Sequence, residues 1–277
     1  MKYIELINYS KDKAFNNKDF EIEAVYFLIE EIMNISKSEL IMKMNHEIES
    51  DKEKKLIKAI DEYIYNNKPV QYIIGHTYFY GNKFLVSENV LIPRFDTEVV
   101  IEKAIEEIKR TFKDESIRIV DVGTGSGCIA ITLFKELNNV IVDAIDISSA
   151  ALNVAKKNAS LLNCDIHFIE NDMLKGLNFK YDVIISNPPY IDEIEDIMDL
   201  VRNNEPKLAL FSADNGLYHY KTIIDQSLVN LKENGIIIFE IPDNKCDKIS
   251  EYASKYYNDI KVYKDYNNQR RVMIIRK

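Results

Sequence analysis

Long apolar runs are missing from this chain of 277 residues. None approaches the ~20 residues that a membrane-spanning helix needs, so no membrane partner is expected. The opening residues Met1-Lys2-Tyr3-Ile4-Glu5-Leu6 lack the charged-then-apolar layout of a secretory leader. Cysteine is scarce: Cys128, Cys164 and Cys246 stand far apart and form no zinc spacing. They read as reduced, small apolar residues of a cytoplasmic protein. His46, His76, His167 and His219 are scattered without acidic or cysteine partners at ligand spacing, so no metal is expected. Basic charge is in deficit as well. A net charge of −9 and a pI near 5.2 argue against a general nucleic-acid binder, whose footprint is basic.

Glycine and proline are absent from residues 1–68. That stretch reads as helical. Ile22, Val25, Leu28, Ile29, Ile32 and Met33 recur at helical spacing, as do Leu56, Ile57, Ile60 and Ile64. Ser36 and Ser38 are candidate N-caps, and the charged run Glu47 to Lys55 reads as a solvated helix face. Residues 1–75 are therefore expected to form a helical domain. Pro69 breaks the pattern. Tyr78-Phe79-Tyr80, a turn at Gly81-Asn82, and Phe84-Leu85-Val86 predict a β-hairpin, making 76–92 a connector.

From residue 93 to 277 strands and helices alternate. Candidate strands are Ile117–Val122, Val140–Ile145, Asp165–Ile169, Val183–Ser186, Gly235–Ile241 and Val272–Ile275. Helices are expected between most of them, including Ala150 to Leu162 and Tyr218 to Leu231. Such alternation predicts an α/β fold with a mostly parallel, doubly wound, Rossmann-like sheet.

Two motifs carry chemistry. In the first, the strand Ile119-Val120-Asp121-Val122 runs into Gly123-Thr124-Gly125-Ser126-Gly127 and then a helix. Glycines let a ligand approach the backbone, and the helix start offers free N–H groups. Asp146, ending the next strand, can accept both hydroxyls of a ribose. NAD and S-adenosylmethionine both fit this much. The GxGxG spacing favours S-adenosylmethionine, which has no pyrophosphate to cradle. Asp172 can meet the adenine edge and Met173 can pack on its ring.

The second motif is Asn187-Pro188-Pro189-Tyr190, directly after an apolar strand. Adjacent prolines cannot continue a central strand. The tetrad therefore sits at the strand end, where open α/β sheets bind ligands. The Asn187 side-chain oxygen and the Pro188 carbonyl can accept the two N–H bonds of a planar amino group and aim its nitrogen at a methyl donor. Tyr190 can pack on the planar acceptor. Adenine, cytosine and glutamine all carry such a group.

Four blocks extend this picture: Pro69-Val70-Gln71-Tyr72-Ile73-Ile74-Gly75; Leu91-Ile92-Pro93-Arg94-Phe95-Asp96-Thr97-Glu98; the loop from Asp121 to Ala130; and Ser186 to Ile191, followed by Glu205-Pro206 and Asp214-Asn215-Gly216-Leu217. Together they resemble the HemK-type protein-(glutamine-N5) methyltransferases, from about residue 69 to the C-terminus and more weakly before it. The resemblance implies a class I methyltransferase that uses S-adenosylmethionine, releases S-adenosylhomocysteine, and modifies the glutamine of the Gly-Gly-Gln motif in peptide chain release factors. It implies that Gly123, Thr124, Gly125, Ser126, Gly127, Asp146, Asp172, Met173 and Asn187 bind the cofactor. Asn187, Pro188, Pro189 and Tyr190 would hold the glutamine amide. Arg94 and Glu205 fall on the substrate side, with Thr97 and Glu98 shaping the cleft. The helical domain would recognise the protein substrate, and a monomer is expected. Phe95 stands where relatives carry a second proline, which loosens one fixed φ; Met173 stands where many carry an aromatic. A ribosomal-protein glutamine methyltransferase is the nearest alternative. A DNA or RNA adenine methyltransferase, or a nucleotide-binding scaffold without catalysis, lies further off.

Overall fold

The computed structural model describes residues 1–15, 17–18, 20–195 and 197–277. They form two compact units, Met1–His76 with Ile197–Asn204, and Thr77–Asp196 with Glu205–Lys277.

The first unit holds helices α1 (Tyr3–Lys13), α2 (Ile22–Met33), α3 (Lys37–Met42), α4 (Ser50–Asn66) and α5 (Val70–Ile74). Their apolar stripes converge on one core that includes Leu6, Val25, Leu28, Ile29, Leu56 and Ile60. Ser36 caps α3 in a reciprocal box: its hydroxyl accepts from the Glu39 N–H at 3.2 Å, and the Glu39 carboxylate accepts from the Ser36 N–H at 2.8 Å. With glycine absent, asparagine supplies the left-handed helix stops, Asn34 at φ 54° and Asn67 at φ 47°. The short helix Asp199–Asn204, within the stretch expected to belong to the 93–277 region, groups with these helices. Asn204 donates to the Asn67 carbonyl at 2.8 Å.

Apart from its first residue, the hairpin β1 (His76–Phe79) and β2 (Asn82–Leu85) belongs to the second unit. Its turn falls at Tyr80-Gly81, one residue before the expected place. Both turn residues have positive φ, 47° and 70°, the pattern that matches strand twist in a two-residue hairpin. The Glu98 carboxylate fixes the turn by accepting from the Tyr80 N–H at 2.6 Å.

After α6 (Phe95–Phe112) come β3 (Ile117–Val122), α7 (Cys128–Glu136), β4 (Val140–Asp146), α8 (Ser149–Leu161), β5 (His167–Glu170), β6 (Tyr181–Ser186), helix Tyr218–Asn230, β7 (Leu231–Glu240), helix Cys246–Ala253, β8 (Asp259–Lys264) and β9 (Arg270–Arg276). The seven strands order as β5-β4-β3-β6-β7-β9-β8. The first five are parallel; β9 runs antiparallel to both its neighbours, β7 and β8. Alternate strand residues feed two cores. Ile119, Val183, Ile185 and Ile238 pack with α6 and α7 on one face. Val120, Ile184, Ile237 and Phe239 pack with helix Tyr218–Asn230 on the other.

Strand β8 went unread in the sequence. Its Asp259, Lys261 and Lys264 are exposed and only Ile260 and Tyr263 are partly covered. An edge strand pairs on one side only, and exposed charge there discourages further pairing, so its apolar signal is weak.

Candidate active site

Strand register brings the two motifs together. Asp121 of β3 pairs with Ile185 of β6. Two residues later the same strands deliver Gly123 and Asn187. The sheet order reverses here: β4 and β5 lie on one side of β3, β6 and β7 on the other. A crevice opens at the carboxyl ends of strands at such a switch point. The Ser186 hydroxyl locks the two strands there by donating to the Val122 carbonyl at 2.6 Å.

A cavity of about 220 Å³ occupies this place. Gly123, Thr124, Gly125, Ser126, Asp146, Asp172, Met173, Asn187, Pro188, Pro189 and Arg94 all line it. Gly127, Tyr190 and Glu205 are not among its lining residues. Gly127 caps α7 at φ 82°, where a Cβ would stand 3.1 Å from the Ala155 Cβ, so it serves close packing of α7 on α8. Tyr190 packs against the second core. Glu205 is buried; its carboxylate pairs with Arg94 and accepts from the Ile92 N–H at 3.4 Å. It acts on the cavity wall through Arg94.

The glycine loop is held from inside. Asp121, fully buried, accepts from the Thr124 hydroxyl at 2.6 Å and the Ala130 N–H at 3.2 Å. Burial pushes its carboxyl up to about 7 against those two hydrogen bonds. Asp146 accepts the Gly125 and Ser148 N–H groups, each at 2.9 Å. The Ile147 N–H also hydrogen-bonds the carboxylate, which keeps acceptor capacity for a hydroxyl. Ile145, Ile147, Met173 and Ile223 add apolar wall. A hydroxyl-accepting carboxylate, apolar plates and a backbone free of side chains fit the nucleoside of S-adenosylmethionine.

The Asn-Pro-Pro-Tyr corner is braced on three sides. Lys245 donates to the Tyr190 carbonyl and pairs with Glu195. His219 accepts from or donates to the Ser212 hydroxyl at 2.8 Å and hydrogen-bonds the Pro189 backbone; burial draws its pKa down. The Asn187 amide donates to the Thr97 hydroxyl at 3.4 Å, and that hydroxyl donates to Glu240 at 2.6 Å.

Comparison with known proteins places the chain in a family. Residues 12–75 match the PrmC N-terminal domain and residues 98–205 the methyltransferase small domain. A release factor glutamine methyltransferase from Flavobacterium psychrophilum is 44% identical over 75% of each chain. One from Enterococcus faecalis is 36% identical over 99% of this chain and 98% of its own. The chain belongs to the release factor glutamine methyltransferase family. A crystal structure of a methyltransferase from Pyrococcus furiosus covers 83% of this chain and 99% of its own with a TM-score of 0.54 at 18% identity, which shows the shared fold alone.

Within this family member, several site residues escaped sequence reasoning. Asn89 and Val90 line the cavity ahead of the Leu91–Glu98 block, and Ser148 and His219 also reach it. None of these carried a signal; His219 reads in the sequence only as one of four scattered histidines, in a helix of mixed polarity. Glu240, which does not line the cavity, ends an apolar strand and gave no sign of contact with the tetrad.

Proposed function

We propose that this enzyme transfers a methyl group from S-adenosylmethionine to the side-chain amide nitrogen of the glutamine in the Gly-Gly-Gln motif of peptide chain release factors. The observation that carries the reading is the placement of Asn187 and Pro188 beside the glycine loop at the switch point, in a chain whose relatives are named for that activity.

When bound, S-adenosylmethionine supplies a methyl on a sulfonium, an electrophile that needs no further activation. The chain's own task is to orient a weak nucleophile. The Asn187 Oδ1 and the Pro188 carbonyl accept the two N–H bonds of the glutamine amide and aim its nitrogen. One of those protons passes to solvent once the nitrogen carries the methyl. Asp146 holds the ribose, and Met173 with Asp172 meets the adenine. Arg94, fixed by buried Glu205, shapes the mouth through which the glutamine loop enters. The helices of residues 1–75 dock the release factor, and the enzyme works as a cytoplasmic monomer.

The test is transfer of labelled methyl to a purified release factor. Label on the intact factor and none on its Gln→Ala acceptor is the expected result. Label that persists on the Gln→Ala factor, or that goes to a ribosomal protein or to RNA instead, overturns the assignment.

A further inference from the structure

Asn187 can hold a glutamine amide only if its oxygen, and not its NH2, faces the cavity. Nothing in the Asn-Pro-Pro-Tyr tetrad decides this, because the two ends of an amide have the same shape. The decision lies in a chain of hydrogen bonds behind it. Thr97, on the first turn of α6, is buried with 3% of its surface exposed, and Glu240, at the end of β7, is equally buried at 3%. The Thr97 hydroxyl donates to the Glu240 Oε2 at 2.6 Å. A hydroxyl has one proton to give, so toward Asn187 Thr97 can only accept. It accepts from the Asn187 Nδ2 at 3.4 Å. The Asn187 Oδ1 is thereby left for the cavity.

We propose that Glu240, acting through Thr97, sets which end of the Asn187 amide meets the acceptor glutamine. Both are positioning residues: neither touches the reacting atoms. An ionised Glu240 is acceptor-only and locks the polarity just described. A protonated Glu240 carries an O–H that donates to Thr97. That frees the Thr97 proton to donate toward Asn187, turns the amide over, and sets one NH2 against another. The proposal rests on the reading of Asn187 as the glutamine-amide holder.

The surroundings place this switch within reach of ordinary pH. Burial raises the Glu240 carboxyl to about 7, with Asp96 adding to the rise and the Thr97 hydroxyl, Arg271 and Arg94 opposing it. Arg271 of β9 is itself held by Asp96 and Asp265 at 3.1 Å each. Tyr190 after β6, Tyr220 of helix Tyr218–Asn230 and Cys128 of α7 also face Glu240. Burial keeps all three of those protons in place. Two carboxyls near this cluster are raised to about 7, Glu240 and Asp121. Asp121 holds the glycine loop through Thr124 and Ala130, so its titration is read in cofactor affinity, and that of Glu240 in kcat at saturating cofactor.

The experiment follows kcat for release-factor methylation at saturating S-adenosylmethionine from pH 5.5 to 9, with cofactor affinity measured beside it by calorimetry. In the unchanged enzyme kcat climbs about tenfold per pH unit on the acid side and levels above about pH 7, as a single ionisation requires. In Glu240→Gln that acid limb disappears. Thr97→Val, close to threonine in shape, lowers kcat about 10- to 100-fold with cofactor affinity unchanged, and Thr97→Ser restores most of it. An acid limb that survives in Glu240→Gln, full kcat in Thr97→Val, or a serine variant as impaired as the valine one overturns the relay. If the unchanged enzyme leaves the release-factor glutamine unmethylated, the assigned function falls and takes the relay with it. If it methylates while Thr97→Val is unimpaired, only the relay falls.

Discussion

Gly216→Ala should separate placement of the Asn-Pro-Pro-Tyr corner from cofactor binding. Gly216 follows Asp214 and Asn215 in a left-handed turn, with φ of 58°, 54° and 80° across the three. Its Cα faces the backbone of Tyr190: an added Cβ would overlap the Tyr190 carbonyl oxygen and stand 2.9 Å from its carbonyl carbon. Carbon atoms rest about 3.5–4.0 Å apart, so the Tyr190 carbonyl carbon must retreat by roughly 0.6–1.1 Å and its overlapped oxygen by more. The Lys245 ammonium that grips the same carbonyl is also in the way. A misplacement of about 1 Å at a reacting centre costs on the order of 100-fold in rate. The left-handed φ adds about 1–2 kcal/mol of strain and the crowding about 1–3 kcal/mol. Both together stay below the roughly 5–15 kcal/mol that holds a domain folded. The variant should therefore fold, melt at lower temperature, bind S-adenosylmethionine through the untouched glycine loop and Asp146, and methylate a release factor about 100-fold more slowly. Steady-state kinetics with labelled cofactor, calorimetry and a thermal melt measure the three quantities. Turnover within about threefold of the unchanged enzyme, alongside the expected loss of stability, would refute the claim that this turn positions the corner.

Two further outcomes follow from other groups. Asp146→Asn sets an NH2 against the Gly125 or Ser148 N–H and removes a charged acceptor; a loss of about 1.5–3 kcal/mol weakens S-adenosylmethionine binding roughly 10- to 150-fold, and unchanged calorimetric affinity would remove Asp146 from the ribose. Glu107, buried on α6, is raised by burial, but its hydrogen bonds to Arg110, Arg276 and Thr111 outweigh that and bring it down to about 2 from an ordinary 4.5. A carboxyl depressed in the folded state contributes its full stability above its unfolded pKa and loses it as pH falls toward the folded one. Urea midpoints of the unchanged protein should therefore fall more steeply between about pH 4.5 and pH 2 than those of Glu107→Gln; parallel curves would contradict the ion cluster's role.

Much of the second unit was legible because its signals are local. Ile117–Val122 and Val183–Ser186 are short β-branched runs bounded by glycine and proline, and both are strands. Asn34 and Asn67 are visible as helix stops only after the fact, since asparagine takes left-handed φ in some contexts and not in others. Tyr80, not Asn82, entered the hairpin turn because Glu98, a residue 18 positions later, accepts its N–H. The Gly127 assignment to the cofactor followed from the motif as a whole; its Cα instead faces Ala155, a packing relation that spacing along the chain does not show.

By itself the sequence determined which chemistry this protein carries: a glycine turn after one strand, an acid after the next, and an asparagine followed by two prolines after a third. Each is a property of a few consecutive residues, and the alternation with helices makes the sheet that carries them mostly parallel. The tertiary structure alone decided how those groups are aimed. Asn187 meets Thr97 across 90 positions, and Thr97 meets Glu240 across 143. Arg94 meets Glu205 across 111. A buried hydroxyl or carboxylate must find its partner wherever folding places one, and the partner's distance along the chain leaves no periodicity to read.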